Sequence, residues 1–417
     1  MSRKPAFELR CRRCAKPFAA GFHPFCDGCE SLVDVRYDLE RCRLHESENP
    51  YERFRDLLPV ADPNRLPRDA APTPCVHAER LGEVLGLRQL FLKDETVLPT
   101  GSTKDRMAAV SLAFLLERGV VSFATSSTGN SSTAYAREIR RYPEIRMFLF
   151  TGEDFQHRVQ CLESDNAVCF ALRGATFVEA FEFAGHFARL HGKTAERGFF
   201  NPGRREGLKL AFMEACDQVP GGFDWYAQAV SSAMGVYGTD KGARELHGMG
   251  RILRPPRLLC VQQETCSPMV DAFAAGSETI RTQDLVARPT GIADAILRGN
   301  PTRAYPYVRE IVLASGGTLV KVSESEIREA RAMLEELEGL RPCFSASAAV
   351  AGLARRCREG ALPRDDRVLV NLTGRVREPR AGERAPVWLK QAAEQWIPED
   401  PHEPVCTEFW GQDDELS

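Results

Sequence analysis

At 417 residues, with 43% apolar and 27% charged side chains, the chain has the composition of a folded protein of two or three domains. That excludes a collagen-like or wholly disordered polypeptide. The 55 basic and 58 acidic residues nearly cancel, to a net charge of −3, so no overall field recruits nucleic acid or an anionic membrane.

In chain order, the N-terminus is basic but lacks the apolar core of a secretory signal. Residues 1–40 form a small cysteine-bearing module. Cys11-x2-Cys14 and Cys26-x2-Cys29 stand eleven residues apart. Two such knuckles place four thiolates for a tetrahedral zinc that has no open position and is therefore structural. His23, between the pairs, can compete as a ligand, and a ribbon that keeps its shape without metal is the alternative. The acidic run at 34–40 argues against a nucleic-acid-binding ribbon. Of the 14 cysteines the other ten are scattered, mostly in apolar stretches, and read as small core hydrophobes in a reducing cytoplasm. No apolar run reaches the ~18 residues of a membrane-spanning helix.

Residues 41–72 read as an irregular, proline-bearing connector. Short apolar runs then predict buried strands at 90–93, 121–125, 146–151, 224–230, 257–262 and 367–372. Helical patterns fall between them at 105–117, 133–141, 207–217, 323–337 and 348–358. This alternation predicts an α/β fold with parallel sheets. The acidic end, 379–417, carries Trp388, Trp396 and Trp410 and is expected to pack on its own or a neighbouring subunit.

Four polar loops follow predicted strands. The first, 99–106, runs Pro-Thr-Gly-Ser-Thr-Lys-Asp-Arg after Lys93-Asp94-Glu95 and opens a helix. Its backbone N–H groups suit an anion, and Lys104 can reach the same cavity. Taken alone, it reads as readily as a capped helix with Lys104 in water. The second, 126–132, sets hydroxyl and amide side chains around Gly129, which suits a carboxylate or a ring hydroxyl. The third, Ser231-Ser232-Ala233-Met234-Gly235, is a candidate phosphate cradle. The fourth is Thr373-Gly374. Loops at the C-terminal ends of strands in one α/β body converge on one crevice.

With these loops in place, the chain resembles threonine synthases of the tryptophan-synthase-β-like (fold type II) family of pyridoxal-phosphate enzymes. The resemblance runs from residue 9 to about residue 379. It rests on the paired cysteines, Thr73-Pro74, Lys93-Asp94-Glu95, the 99–106 turn and Ser127-Thr128-Gly129-Asn130. It also rests on Asn201-Pro202 with Arg204 and Glu206-Gly207, Gly299-Asn300-Pro301, Ala346-Ser347-Ala348-Ala349 and Leu372-Thr373-Gly374. It implies a zinc-ribbon-like module at 1–40, a large cofactor-binding domain from 41–110 and 205–378, and a small mobile domain at 111–204. The acidic tail, 379–417, follows them. Lys104 matches the lysine that carries pyridoxal phosphate and moves the substrate's Cα proton. Asn130 matches the asparagine at the ring hydroxyl, Thr373 the hydroxyl residue at the ring nitrogen, and residues 231–235 the phosphate loop. Ser127, Thr128 and Ser131 match the loop for the substrate carboxylate. Asn201 and Arg204 match positions near the substrate's distal group. A homodimer is expected from the family.

The departures bear on the substrate. Ser231-Ser232-Ala233-Met234-Gly235 stands where threonine synthases have Gly-Asn-x-Gly-Asn. Phe344-Ser345 replaces Glu-Pro, and Arg375 replaces a histidine. One carboxylate is lost and one guanidinium gained, so the expected crevice is more positive, with Arg204 and Arg375 holding an anionic group beyond the α-carboxylate. The implied activity is elimination or replacement at the side chain of an amino acid with a leaving group, such as O-phosphohomoserine. β-Replacement on a phosphoserine-like substrate in secondary metabolism and serine/threonine dehydration are the alternatives. Lys104, Asn130 and Thr373 together favour an enzyme over a cofactor-bound scaffold.

Overall fold

The computed structural model describes residues 7–19, 21–160, 164–378, 385–393 and 395–410. Two six-stranded sheets are built from the predicted apolar runs and from runs the pattern does not separate. The first has the spatial order Thr318–Val322, Arg257–Gln263, Trp225–Ala229, Arg367–Leu372, Gln89–Asp94 and Cys75–His77. All its pairings are parallel except the edge strand Cys75–His77, which is antiparallel. Trp225–Ala229 is buried at every residue, as expected for a parallel strand covered on both faces. Helix Phe344–Arg358 packs across this sheet, and its alanine-rich stripe, including Ala348, Ala349 and Ala351, lets backbone approach backbone.

Four strands of the second sheet are inserted in the chain between strands Gln89–Asp94 and Trp225–Ala229, and the other two come from the C-terminal segment. Its order is Gln395–Pro398, Val387–Ala392, Ala167–Leu172, Arg146–Gly152, Ser122–Ser126 and Thr194–Ala195. The strand Ala167–Leu172 and the helix Phe177–Leu190 are not among the predicted elements. The first is a six-residue apolar run with no periodicity to separate strand from helix. The second does carry a sequence signal: Thr176 and Glu179 form a capping box.

The acidic end is also more regular than expected. Val387–Ala392 pairs in parallel with Ala167–Leu172, and Gln395–Pro398 folds back on it. Helix Pro404–Phe409 then seats Phe409 at 5.1 Å from Phe148, and Trp410 lies 5.7 Å from Phe170. The described part of this segment therefore completes a core of the same chain. Residues 379–384, 394 and 411–417 lie outside the described residues.

At the other end, Phe7–Cys11 pairs antiparallel with Pro17–Phe18 and Val33–Tyr37. This module is anchored by buried polar contacts: Arg205 donates to the Val33 carbonyl at 2.6 Å, and the Tyr37 hydroxyl donates to Glu206 at 2.8 Å. Among the scattered cysteines, Cys42, Cys216, Cys260, Cys266 and Cys406 are buried free thiols. Cys169 departs from the expectation of reduced core cysteines, because it is disulfide-bonded. No helix among the described residues is long and apolar enough to cross a membrane.

Candidate active site

The Lys104 turn is held from below by a buried ion network. Arg106 donates to Glu95 at 2.7 Å and to Glu214 at 2.8 Å, and Lys93 reaches Glu214 at 2.5 Å. Thr73 donates its hydroxyl to Glu95 at 2.6 Å. These side chains are all at most 5% exposed. The motif residues Thr73, Lys93 and Glu95 thus clamp helix Lys104–Glu117 to strand Gln89–Asp94. Gly207 permits the second contact of this helix: a Cβ there would lie 2.3 Å from the Arg106 carbonyl oxygen.

Above the clamp, Asp105 accepts from the Thr100 N–H and hydroxyl, each at 2.7 Å, and closes the turn. Thr103 donates its N–H to the Thr373 carbonyl at 2.9 Å, and Arg375 donates its N–H to the Gly101 carbonyl at 2.9 Å. The first and fourth loops are therefore stitched together, and Lys104 opens its helix beside Thr373.

Lys104 faces a cavity of about 110 Å³ at the C-terminal ends of the strands. The predicted loops converge there. Ser127, Thr128, Asn130 and Ser131 line one wall, residues 231–235 another, and Thr373 a third. Ser127 accepts the Gly129 N–H at 3.1 Å and the Ser132 N–H at 3.3 Å, which fixes the second loop. Gly129 is required at that point, with φ of 123° and the place of a Cβ filled by Arg158 at 2.7 Å. Ala233 takes a left-handed conformation, φ 57°, ahead of helix Met234–Gly248. The loop keeps a glycine-like backbone without the family's glycine, at some strain.

The charges differ from the sequence expectation. Asn201 does not line the cavity. It is fully buried, caps helix Pro202–Leu208 and donates to Glu196 at 2.6 Å and Ser111 at 2.8 Å. Arg204 does line it, but its fork is occupied by Glu196, with both contacts at 2.5 Å. Arg375 lies outside, with its side chain over Gly101. Of the Phe344-Ser345 pair, Ser345 lines the cavity, while Phe344 packs under the guanidinium groups of Arg328 and Arg331. Sequence reasoning missed Arg298. Its guanidinium lies 5.2 Å from the Phe177 ring on the cavity wall, with no ion-pair partner among the described residues. Its Nε is buried and unbonded. Burial and the Arg204 charge pull its pKa down to about 10. The signal in the sequence is its place directly before Gly299-Asn300-Pro301.

The donor set fits pyridoxal phosphate. The buried hydroxyls of Thr103 and Ser126 face the cavity without partners, and Lys104 supplies an amine. Burial, then the Arg204 charge, lowers the Lys104 pKa to about 8. A larger neutral fraction near neutral pH favours addition to a carbonyl. The rate at which the cofactor-free protein takes up pyridoxal phosphate should rise with pH and level off above about 8. Arg204→Gln should move that midpoint upward, since a cation is removed and the Glu196 carboxylate remains. A midpoint near the ordinary lysine value of about 10.4 in the unaltered protein would contradict this environment.

Outside this cavity, Cys11, Cys14, Cys26 and Cys29 bring their sulfurs within 4.8 Å of one another. The Sγ atoms of Cys11 and Cys29 are 3.4 Å apart, and those of Cys14 and Cys26 3.7 Å. Tetrahedral zinc with bonds of about 2.3 Å requires edges of about 3.8 Å, so the cluster fits the ion. His23 is not part of the cluster.

A family model described as "Pyridoxal-phosphate dependent enzyme" matches residues 67–374. The threonine synthase of Methanocaldococcus jannaschii is 29% identical over 392 residues, which cover 90% of this chain and 94% of that protein. The cysteate synthase of Methanospirillum hungatei is 28% identical over 385 residues, covering 88% and 89%. Among solved structures, diaminopropionate ammonia lyase from Escherichia coli superposes with a TM-score of 0.61 at 16% identity, covering 75% of this chain and 86% of that one. The processed threonine deaminase isoform 2 from Solanum lycopersicum gives 0.60 at 18% identity, covering 73% and 84%. These structural likenesses carry the fold.

Proposed function

Since the chain belongs to the pyridoxal-phosphate dependent enzyme family, we propose that it eliminates or replaces an anionic leaving group on an amino-acid side chain, as a threonine synthase or related amino-acid synthase does. The observation that carries this reading is Arg298, a cation on the cavity wall with no carboxylate partner among the described residues. A side chain bearing phosphate supplies the missing charge. Serine or threonine would leave Arg298 unpaired, which disfavours simple dehydration.

In this reading Lys104 carries the cofactor and then takes and returns the Cα proton. Bound pyridoxal phosphate supplies an electron sink for the charge left at Cα. Residues 231–235 would hold its phosphate, Asn130 its ring oxygen and Thr373 its ring nitrogen. A hydroxyl at that nitrogen does not hold it protonated, which favours elimination and replacement over transamination. Ser127, Thr128 and Ser131 hold the substrate carboxylate. Arg204 acts through Lys104 and Glu196, and Arg298 takes the distal group.

A charge-assisted contact contributes about 1.5–3 kcal/mol. Arg298→Gln should therefore lower kcat/KM on the best phosphorylated substrate by roughly tenfold to a hundredfold. Its effect on the neutral analogue should be small. Equal loss on both, or no loss, would remove Arg298 from substrate recognition.

For the N-terminal module we propose one structural zinc on Cys11, Cys14, Cys26 and Cys29. The sulfur spacing supports it. Elemental analysis of protein purified without chelator should give about one zinc per chain, lost in the Cys26→Ser/Cys29→Ser protein together with stability of the module. A ratio near zero in the unaltered protein would leave only the ribbon shape.

A further inference from the structure

A second cavity, of about 190 Å³, adjoins the first, and Asn130 and Cys343 line both. Three arginines face it: Arg158, Arg375 and Arg377. Asp294 supplies the single carboxylate among the cavity's described lining. That carboxylate is already paired with Arg158 Nε at 3.1 Å. Arg377 spans from the fourth loop to the second: Nη1 donates to the Asn130 side-chain oxygen, and Nη2 to the Arg158 carbonyl at 2.6 Å. This leaves Arg377 Nε and Arg158 Nη1 both buried and without an acceptor. Arg375 adds an exposed guanidinium at the rim.

Two adjacent half-buried guanidinium groups, with the one lining carboxylate already paired to Arg158, are an unbalanced arrangement. Burial, then the Arg158 charge, pulls the Arg377 pKa down to about 10. Donors left over on planar forks are the chemistry that takes an oxyanion. The position also matters. This cavity shares Asn130 and Cys343 with the first, and the 231–235 loop does not line it. The cofactor's phosphate and an anion held here would occupy different places.

We propose that Arg158 and Arg377, with Arg375 at the rim, form a second anion site for a small free oxyanion that enters or leaves the reaction cavity past Asn130. This deepens the reading of the first cavity as the cofactor site, and rests on it for the anion's place in the reaction. A replacement reaction with an anionic leaving group has a departing oxyanion and an arriving nucleophile; the site fits the chemistry common to both. Asn130 is fixed by the same guanidinium that binds the anion, so occupancy would be felt at the cofactor-facing loop.

The test is calorimetric titration of the cofactor-saturated protein at low ionic strength with inorganic phosphate and, in parallel, sulfate. One saturable site per chain that depends on Arg158 and Arg377 is expected, separate from any anion held by Arg298 in the first cavity. Its Kd should rise at least tenfold in Arg377→Gln and in Arg158→Gln, and less in Arg375→Gln. Arg377→Lys keeps the charge without the fork and should recover part of the affinity, which separates recognition from misfolding. Arg298→Gln should remove any binding in the first cavity and leave the Kd of the Arg158–Arg377 site unchanged. Tighter phosphate identifies a departing group, and tighter sulfate an arriving sulfur oxyanion; both support the site. Absence of saturable binding, indifference to all three arginines, or loss of all binding in Arg298→Gln would overturn it. Should the protein take no pyridoxal phosphate, the cofactor reading fails, whereas the arginine dependence of phosphate binding is still read on the protein as purified.

Discussion

Lys104→Ala is expected to lower turnover by at least roughly a thousandfold, since it removes both the covalent attachment and the group that moves the Cα proton. The Ser231–Gly235 loop and the wall formed by residues 127–131 do not depend on the Lys104 side chain. The variant should therefore still bind pyridoxal phosphate, but release it on gel filtration, and borohydride should trap no lysine adduct. The other buried lysines are engaged elsewhere: Lys93 with Glu214, and Lys209 with Glu206 and Glu245, each within 2.7 Å. An adduct persisting in Lys104→Ala would show that another amine carries the cofactor.

Glu214→Ala should have the largest effect on stability. The Glu214 carboxylate accepts from Lys93 at 2.5 Å, Arg106 at 2.8 Å and the Thr73 N–H at 2.8 Å, at 4% exposure. Its loss leaves the buried Lys93 without its carboxylate partner and Arg106 with Glu95 alone. Breaking such a pair costs about 3–5 kcal/mol, because a buried charge loses its partner. The exposed Arg88–Asp365 pair, at 2.7 Å, is a control that should change stability by less than about 1 kcal/mol. The network also sets a pH dependence. Burial raises the Glu214 pKa, but Arg106 and Lys93 outweigh it and hold it below the ordinary value. A depressed carboxyl pKa stabilises the fold above the unfolded value and loses that contribution as pH falls through the folded one. Denaturant midpoints of the unaltered protein and Glu214→Ala should therefore converge in acid. A constant difference down to the folded pKa and below would contradict this.

The central sheet and the reacting loops were legible because their signals are local. Apolar runs 90–93, 224–230 and 257–262 became the strands Gln89–Asp94, Trp225–Ala229 and Arg257–Gln263. Hydroxyl-rich loops at strand ends converge wherever parallel strands lie side by side. The pairing of charges was not legible. Arg204 and Asn201 both meet Glu196, a residue that nothing in its own neighbourhood of the sequence marks. The role of Arg298 depends on what is missing beside it, which a one-dimensional pattern does not record. Arg375 follows Thr373-Gly374 directly, yet the turn that stitches Arg375 to Gly101 carries its side chain out of the reaction cavity. The C-terminal strands escaped because Val387–Ala392 is short and finds its partner, Ala167–Leu172, more than 200 residues earlier.

The central claim, a lysine-bound cofactor serving an amino acid with an anionic leaving group, is tested most directly by one assay. Cofactor-loaded protein is mixed with O-phosphohomoserine, O-phosphoserine, serine and threonine, and inorganic phosphate release is followed together with the cofactor's absorbance. Release of phosphate from one phosphorylated substrate, with a matching absorbance change that Lys104→Ala abolishes and with little reaction of serine or threonine, is the predicted result. Turnover of serine or threonine without phosphate release from either phosphorylated amino acid would contradict it.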